Sequence, residues 1–355
     1  MNKRQKAILK KRLRNEKEIL KNIEEVYKTA LLDVETSLKI YHDRILADGN
    51  DTSAIYQYEH QMAIKQQLDV ILNKMNEENY QNISDYLLDC YEEGYLSTLY
   101  QIQGTGIPLL MPINQSMVLD AVMHNTKLKR PLYEALGYDV DKLKREISNE
   151  LARGIIQGSA WIDIARNIRY KTKVSKNKAY TIARTEGARI TSMAVIDSQE
   201  QAKEMGADIV KRWDATLDGK TRAEHRELDG QVREIDEDFE VAGYKAKGPL
   251  MFGIAHMDIR CRCASFTDPR WAMNKGKLYK RNSFTDELME FDDNKSYEDF
   301  KKEFWSNENI KFMKYVQDLQ KKHEITDFDL LKKAMTEKEY KKYSQLLKDS
   351  PIYGK

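Results

Sequence analysis

The chain has 355 residues, 33% of them charged and 41% apolar, with a formal net charge of +2. That length suits two or three domains, and that balance suits a helix-rich protein with long charged faces rather than a wholly disordered one. No apolar run approaches the ~18 residues that span a bilayer, and the basic start leads into no apolar signal segment. Three cysteines, an odd number, argue for a reducing compartment rather than a disulfide scaffold.

The first fourteen residues carry seven cations before any acid. Lys3, Arg4, Lys10, Lys11, Arg12 and Arg14 are the candidate DNA contacts in this block, which reads equally as the solvated end of a helix. From Leu9 to Tyr41, apolar residues at steps of three, four and seven trace one stripe along a long helix that ends near Ala47. A second helix is expected from residue 52 or 53 to about 75, and a third from 84 toward 100 across Gly94, giving a hairpin or bundle over 1–102. Gly104, Gly106, Pro108 and Pro112 break the pattern, and no P-loop lysine completes a phosphate cradle there. A helical connector over 103–175 follows, with helices expected at 116–124, 131–136, 141–157 and from 159 through 168. Ser175 is expected to cap a longer helix that ends at Gly206.

The period then changes. Ile209, Lys211, Trp213 and Ala215 alternate with Val210, Arg212 and Asp214, which predicts a strand with Trp213 on its inner face. Asp218-Gly219 and Asp229-Gly230 are turn signals, and Thr221 with Glu224 forms a capping-box pattern before a short helix bearing His225. Extended chain is expected over 231–241 and a closing strand over 256–266. The segment 176–268 thus reads as a small α+β module, with nearly all of the chain's strand expected over 207–266. A charged helical tail over 269–355 carries cap patterns at Ser296 and Thr336. The fold class is mainly α with a small α+β module, set between an N-terminal helical bundle and a C-terminal helical tail.

Two of the six histidines and two of the three cysteines fall within this module. His225, His256, Cys261 and Cys263 offer the imidazole and thiolate ligands of tetrahedral structural zinc. On a strand, Cys261 and Cys263 would share one face. The same alternation allows a second reading, in which Ile259, Cys261 and Cys263 form an inward apolar row and the cysteines are inert. Asp214, Asp218, Asp229 and Glu186 with His225 could instead serve metal-assisted phosphodiester cleavage. No established nuclease spacing supports that, and Asp218 and Asp229 are explained by their turns. Arg184, Thr185 and Glu186 are expected to form a buried polar network locking their helix to the strand module.

Ile182-Ala183-Arg184-Thr185-Glu186, the run Trp213-Asp214-Ala215-Thr216-Leu217-Asp218-Gly219, the turn from His225 to Gln231 and the closing Cys261-Arg262-Cys263 occur in an order that resembles the phage head-morphogenesis family. These are minor head proteins related to the F protein of phage Mu. The similarity covers 143–266; where the family closes with His-Pro-Asn-Cys-Arg, this chain inserts residues between His256 and Cys261 and lacks the proline. The resemblance implies a non-enzymatic virion protein of the procapsid that contacts the portal protein, and scaffold or major capsid protein as further partners. It implies roles in head assembly and in DNA packaging or ejection, first in host cytoplasm and then in the capsid interior. A metal-dependent nuclease or other nucleic-acid-processing enzyme using the 213–263 module is the alternative. No cofactor is expected beyond a structural zinc.

Overall fold

A computed structural model describes residues 3–47, 54–103, 113, 118, 131–157, 159–216, 218, 220–270, 279–281, 288–290, 297–326 and 328–352. The chain is mainly helical with a small antiparallel sheet module, as its periodicity predicts. Among the described residues, four long helices come first: α1 (Lys3–Ala47), α2 (Ala54–Gln103), α3 (Leu132–Ile156) and α4 (Trp161–Glu204). The module follows as β1 (Ile209–Asp214), α5 (Ala223–Leu228), β2 (Val232–Arg233), β3 (Phe239–Val241), β4 (Tyr244–Ala246), α6 (Ala255–Asp258) and β5 (Ala264–Pro269). The hairpin β6 (Tyr279–Arg281) and β7 (Leu288–Glu290) leads to α7 (Tyr297–Phe304), α8 (Asn307–His323), α9 (Phe328–Ala334) and α10 (Glu337–Asp349).

Several expected breaks are absent. The second and third helices are one, α2, because residues 76–83 hold no proline or glycine and the apolar stripe passes through Asn76 and Asn79, both buried. Residues 131–136 and 141–157 likewise join as α3 across Gly137, which a continuous helix tolerates at modest cost. Ser175 caps nothing: it lies inside α4, where its hydroxyl meets Tyr27 Oη at 3.1 Å. The glycine-proline loop and the helix expected at 116–124 fall almost wholly outside the described residues.

Contacts group the chain into two units. One comprises 14–88 and 119–187. There α1 buries Ile19, Ile23, Tyr27, Val34 and Leu38, while α3 buries Leu136, Val140, Leu143, Ile147 and Leu151. These are the 3.6-residue stripes of amphipathic helices. Charged faces meet at the rim, where Glu35 accepts two hydrogen bonds from Arg169 at 2.6 and 2.9 Å and Lys176 donates to Glu24 at 2.6 Å.

The second unit comprises 1–13, 89–118 and 188–355. Its helices approach closely at Gly94, where a Cβ would stand 2.7 Å from the Thr191 carbonyl oxygen and 2.9 Å from Ala194 Cβ. Only a residue without a side chain lets the two backbones pack at that distance. Gln199 donates to Thr267 Oγ1 at 2.8 Å and the Thr267 amide donates to Gln101 at 3.2 Å, so β5 is tied to both α4 and α2. Of the two expected C-terminal caps, Ser296 lies outside the described residues. Ser306 caps α8, and Thr336 with Glu339 forms the full capping box of α10.

The sheet order is β2-β1-β5, all antiparallel, with Trp213 opposite Ser265 and Lys211 opposite both Arg233 and Thr267. Gly230 extends the ladder past β2: its amide donates to the Trp213 carbonyl at 2.9 Å, and the Trp213 amide donates to the Gln231 carbonyl at 2.9 Å. Gly230 has φ +78, which only glycine adopts freely in so tight a turn. Strand is not confined to 207–266, because β5 runs to Pro269 and the β6–β7 hairpin lies beyond it.

Trp213 is fully buried among Ala215, Leu228, Phe239, Val241 and Met257. Its neighbour on the same face, Lys211, is also fully buried, with Nζ donating to the carbonyls of Ile235 at 3.0 Å and Lys247 at 2.9 Å. Desolvation lowers its ammonium to about 8.

Two outcomes follow. Trp213→Ala should weaken the module by roughly 3–5 kcal/mol, the range for truncating a buried large aromatic. Urea denaturation read by alkylation of Cys261 and Cys263 measures it, and an unchanged midpoint would place Trp213 outside the core. For Lys211, the unfolded chain holds its proton to higher pH than the folded one. Stability therefore rises with pH between about 8 and the normal lysine range. Relative to Lys211→Met, the wild type should gain about 1–2 kcal/mol from roughly pH 7.5 to pH 9.5. A constant difference would mean that Lys211 titrates normally.

Candidate functional site

Short segments converge on one face of β1. Past the strand, Asp229 Oδ1 accepts the Ala215 amide at 2.8 Å and so fixes the exit of the chain. The 216–222 loop then folds on itself: Thr221 Oγ1 donates to the Thr216 carbonyl, and the Lys220 amide donates to Asp218 at 2.8 Å. The expected capping box is therefore not formed, since the N-cap of α5 is Arg222 and Thr221 serves the loop instead. Helix α5 buries His225 and Leu228. The imidazole stands edge-on to Trp213 at 6.1 Å and lies roughly parallel to Phe252 at 6.3 Å.

The closing segment differs from the expected strand. Residues 255–258 form the short helix α6 because the buried Asp258 carboxylate accepts the amides of Phe252 at 3.1 Å and Gly253 at 2.8 Å, pulling the loop into a turn. Arg260 follows with φ +57, a left-handed residue that reverses the chain. The strand begins only at Ala264. Cys261 and Cys263 therefore sit in the approach to β5, and Ile259 is exposed, so no inward apolar row exists. This segment is stitched to the 216–222 loop. Arg262 makes two 2.6 Å hydrogen bonds to Asp218, Arg222 donates to the Ile259 carbonyl at 2.7 Å, and Thr216 Oγ1 donates to the Arg262 carbonyl at 3.1 Å.

The result brings three of the four candidate ligands together. His225 Nδ1 lies 3.5 Å from Cys261 Sγ and 3.3 Å from Cys263 Sγ, and all three ligand atoms are within 4.8 Å of one another. The Cys263 amide donates to Cys261 Sγ at 3.5 Å. The side-chain hydrogen bond between the two cysteines outweighs desolvation and, with help from His225, lowers the Cys261 thiol to about 5; the same side-chain bond and burial push Cys263 up. His256 stands apart: it is exposed on α6, its ring 5.6 Å from that of Tyr244. It belongs on a helix rather than on the expected strand, which carries it away from the cysteines.

The carboxylates go elsewhere. Asp218 is held well below the usual range, first by its hydrogen bonds from Arg262. Asp214 is raised by burial and lies 3.8 Å from Arg212. Glu186 is buried on α4. Among the described residues, the cluster of metal-ligand atoms contains none of Asp214, Asp218, Asp229 or Glu186. Arg184 does not lock α4 to the strands but donates to Glu16 on α1 at 2.7 Å.

In the basic N-terminus, Arg4 lies over the Tyr100 ring at 4.7 Å and donates to the Tyr100 carbonyl, and Arg12 reaches Ser97 at 3.4 Å. Lys11 is half-buried, Lys10 and Arg14 are exposed, and the Lys3 side chain falls outside the described residues. Sequence reasoning missed Phe252 and Asp258, whose roles depend on loop geometry that alternation does not encode.

Residues 145–266 match the family described as Phage Mu protein F like protein. Two characterised relatives align with most of the chain. One is the Enterococcus faecalis protein named NAD(+)--arginine ADP-ribosyltransferase EFV, 33% identical over 270 residues, 75% of this chain and 54% of that protein. The other is minor head protein GP7 of Bacillus phage SPP1, 27% identical over 251 residues, 69% of this chain and 80% of that protein. The chain thus spans about half the length of the first. No solved structure matches it.

Asp258 offers a direct test of the site's scaffold. Asp258→Ala leaves two buried amides without their charged acceptor and should cost about 2–3 kcal/mol. It should also make Cys261 alkylate faster. Unchanged alkylation and stability would show that the Asp258 carboxylate does not set the turn.

Proposed function

We propose, from the premise that this chain belongs to the Mu F-like minor head protein family, that it is a structural component of a tailed-phage head that binds the portal protein inside the procapsid. In this reading it acts in head assembly and in DNA packaging or ejection. Scaffold or major capsid protein are further partners, and the protein passes from host cytoplasm to capsid interior. The alignment over 80% of a protein named as a minor head protein is the observation that carries the reading.

The geometry is in keeping with a non-enzymatic role. Asp218 and Asp229 are spent on an ion pair and a backbone amide that hold loops in place, which fits structural use better than metal-assisted hydrolysis. The ADP-ribosyltransferase name belongs to a protein of which the alignment spans little more than half, and we read the shared part as its structural portion. A nonspecific DNA contact falls to the exposed Lys10 and Arg14, because Arg4 and Arg12 are engaged on α2.

No described helix is long and apolar enough to cross a membrane. Co-expression with the portal protein of the same phage tests the proposal. The chain should co-sediment with assembled portal rings, and the preparation should neither cut DNA nor consume NAD in the presence of an arginine acceptor. Portal rings that sediment without the chain would overturn the portal assignment. DNA cleavage lost in His225→Ala would favour the nuclease instead.

A further inference from the structure

We propose that His225, Cys261 and Cys263 bind one zinc ion through Nδ1 and the two sulfurs, leaving a fourth position that takes water or a small anion from solvent. This goes beyond the role in the phage head and stands independently of it. Tetrahedral zinc holds sulfur at about 2.3 Å and imidazole nitrogen at about 2.0–2.1 Å, so neighbouring ligands sit about 3.6 Å apart for N and S and about 3.8 Å for two sulfurs. The two measured N–S separations are 3.5 and 3.3 Å. The two N–S edges of the tetrahedron are therefore close to their metal-bound lengths, and the two sulfurs lie within 4.8 Å of each other.

The surroundings suit the metal as well. The imidazole is braced between Trp213 and Phe252, and its buried Nε2 has no hydrogen-bond partner, so the sulfurs are its polar neighbours. The Cys263 amide donates to Cys261 Sγ, a contact that stabilises a thiolate more than a thiol. Two ligands come from a C-x-C segment and one from α5, so the ion would pin the turn after α6 to the helix beneath it. Among the described residues no fourth His, Cys, Asp or Glu joins the cluster, and His256 is exposed on α6 against Tyr244. The ligands instead open onto a pocket lined by Lys220, Arg222, Arg260 and Arg262. Two thiolates balance the charge of the zinc, and with Arg262 already paired to Asp218, Lys220, Arg222 and Arg260 at the mouth favour an anion or a polarised water at the fourth corner.

The full chain, purified under reducing conditions without chelator, provides the test. Elemental analysis should find about one zinc per chain. Cys261→Ser and Cys263→Ser should lose it, whereas His256→Ala should keep it. Because the cysteine variants can misfold, the wild type carries a second arm: chelation should make Cys261 and Cys263 alkylate, and added zinc should restore protection. Cobalt substituted for zinc should show thiolate charge-transfer bands that shift when azide is added. Absence of metal, zinc retained in Cys261→Ser, or a Cys261–Cys263 disulfide in freshly quenched protein would overturn the site. Zinc lost from a folded His256→Ala variant, or cobalt bands indifferent to azide, would overturn the open fourth position.

Discussion

Burial of Trp213 on the central strand is the constraint on which the module depends. Its indole contacts the rings of His225, Phe239 and Phe252, which come from α5, β3 and the loop before α6. Those elements are too short to be stable alone: α5 has six residues, β3 three and α6 four. Packing around one large apolar group supplies what local propensity does not. The backbone of the same residue continues the ladder into the Asp229–Gln231 turn, so one position fixes both the core and the approach to His225.

The helices hold this sheet from behind. Gly94 allows α2 and the 188–204 part of α4 to approach at backbone distance, and Gln101 and Gln199 then reach the same residue, Thr267, on β5. Near the C-terminus, Lys301 pairs with Glu92 at 2.7 Å and Glu93 at 3.1 Å while Phe300 meets the Tyr100 ring, so α7 packs on the same stretch of α2. Charge density is thus used largely for positioning. The exposed pairs contribute little each, about 0–1 kcal/mol, and matter through specificity of docking.

What was legible in the sequence was what local physics determines. The long helix predicted over Leu9 to Tyr41, the alternation around Trp213, the Asp229-Gly230 turn and the Thr336 capping box all appear where their patterns place them, although the first part of that helix buries Ile8 and Ile19 and leaves Leu13 exposed. Illegible features were those that packing overrides. Ser175 looks like a helix cap, yet it meets Tyr27 inside an unbroken helix, and nothing in the pattern showed that Gly94 serves a close helix contact. The closing segment alternates like a strand, but Asp258 captures two amides and Arg260 turns left-handed, so its cysteines reach His225 from a loop while His256 is carried away. Lys211 was placed on the inner face correctly, but no pattern announced that two carbonyls would make its burial tolerable.

Hydrogen exchange on the intact chain tests most directly whether β1 governs the site. Amides of 209–214 and 264–268 should exchange with the same opening free energy as those of α5 and residues 261–263, because one packed core closes them all. A single shared opening that responds equally to denaturant in every one of these segments is the expected result. Residues 223–228 and 261–263 exchanging freely while β1 and β5 stay protected would contradict the account, since the ligand cluster would then be held by something other than the Trp213 core.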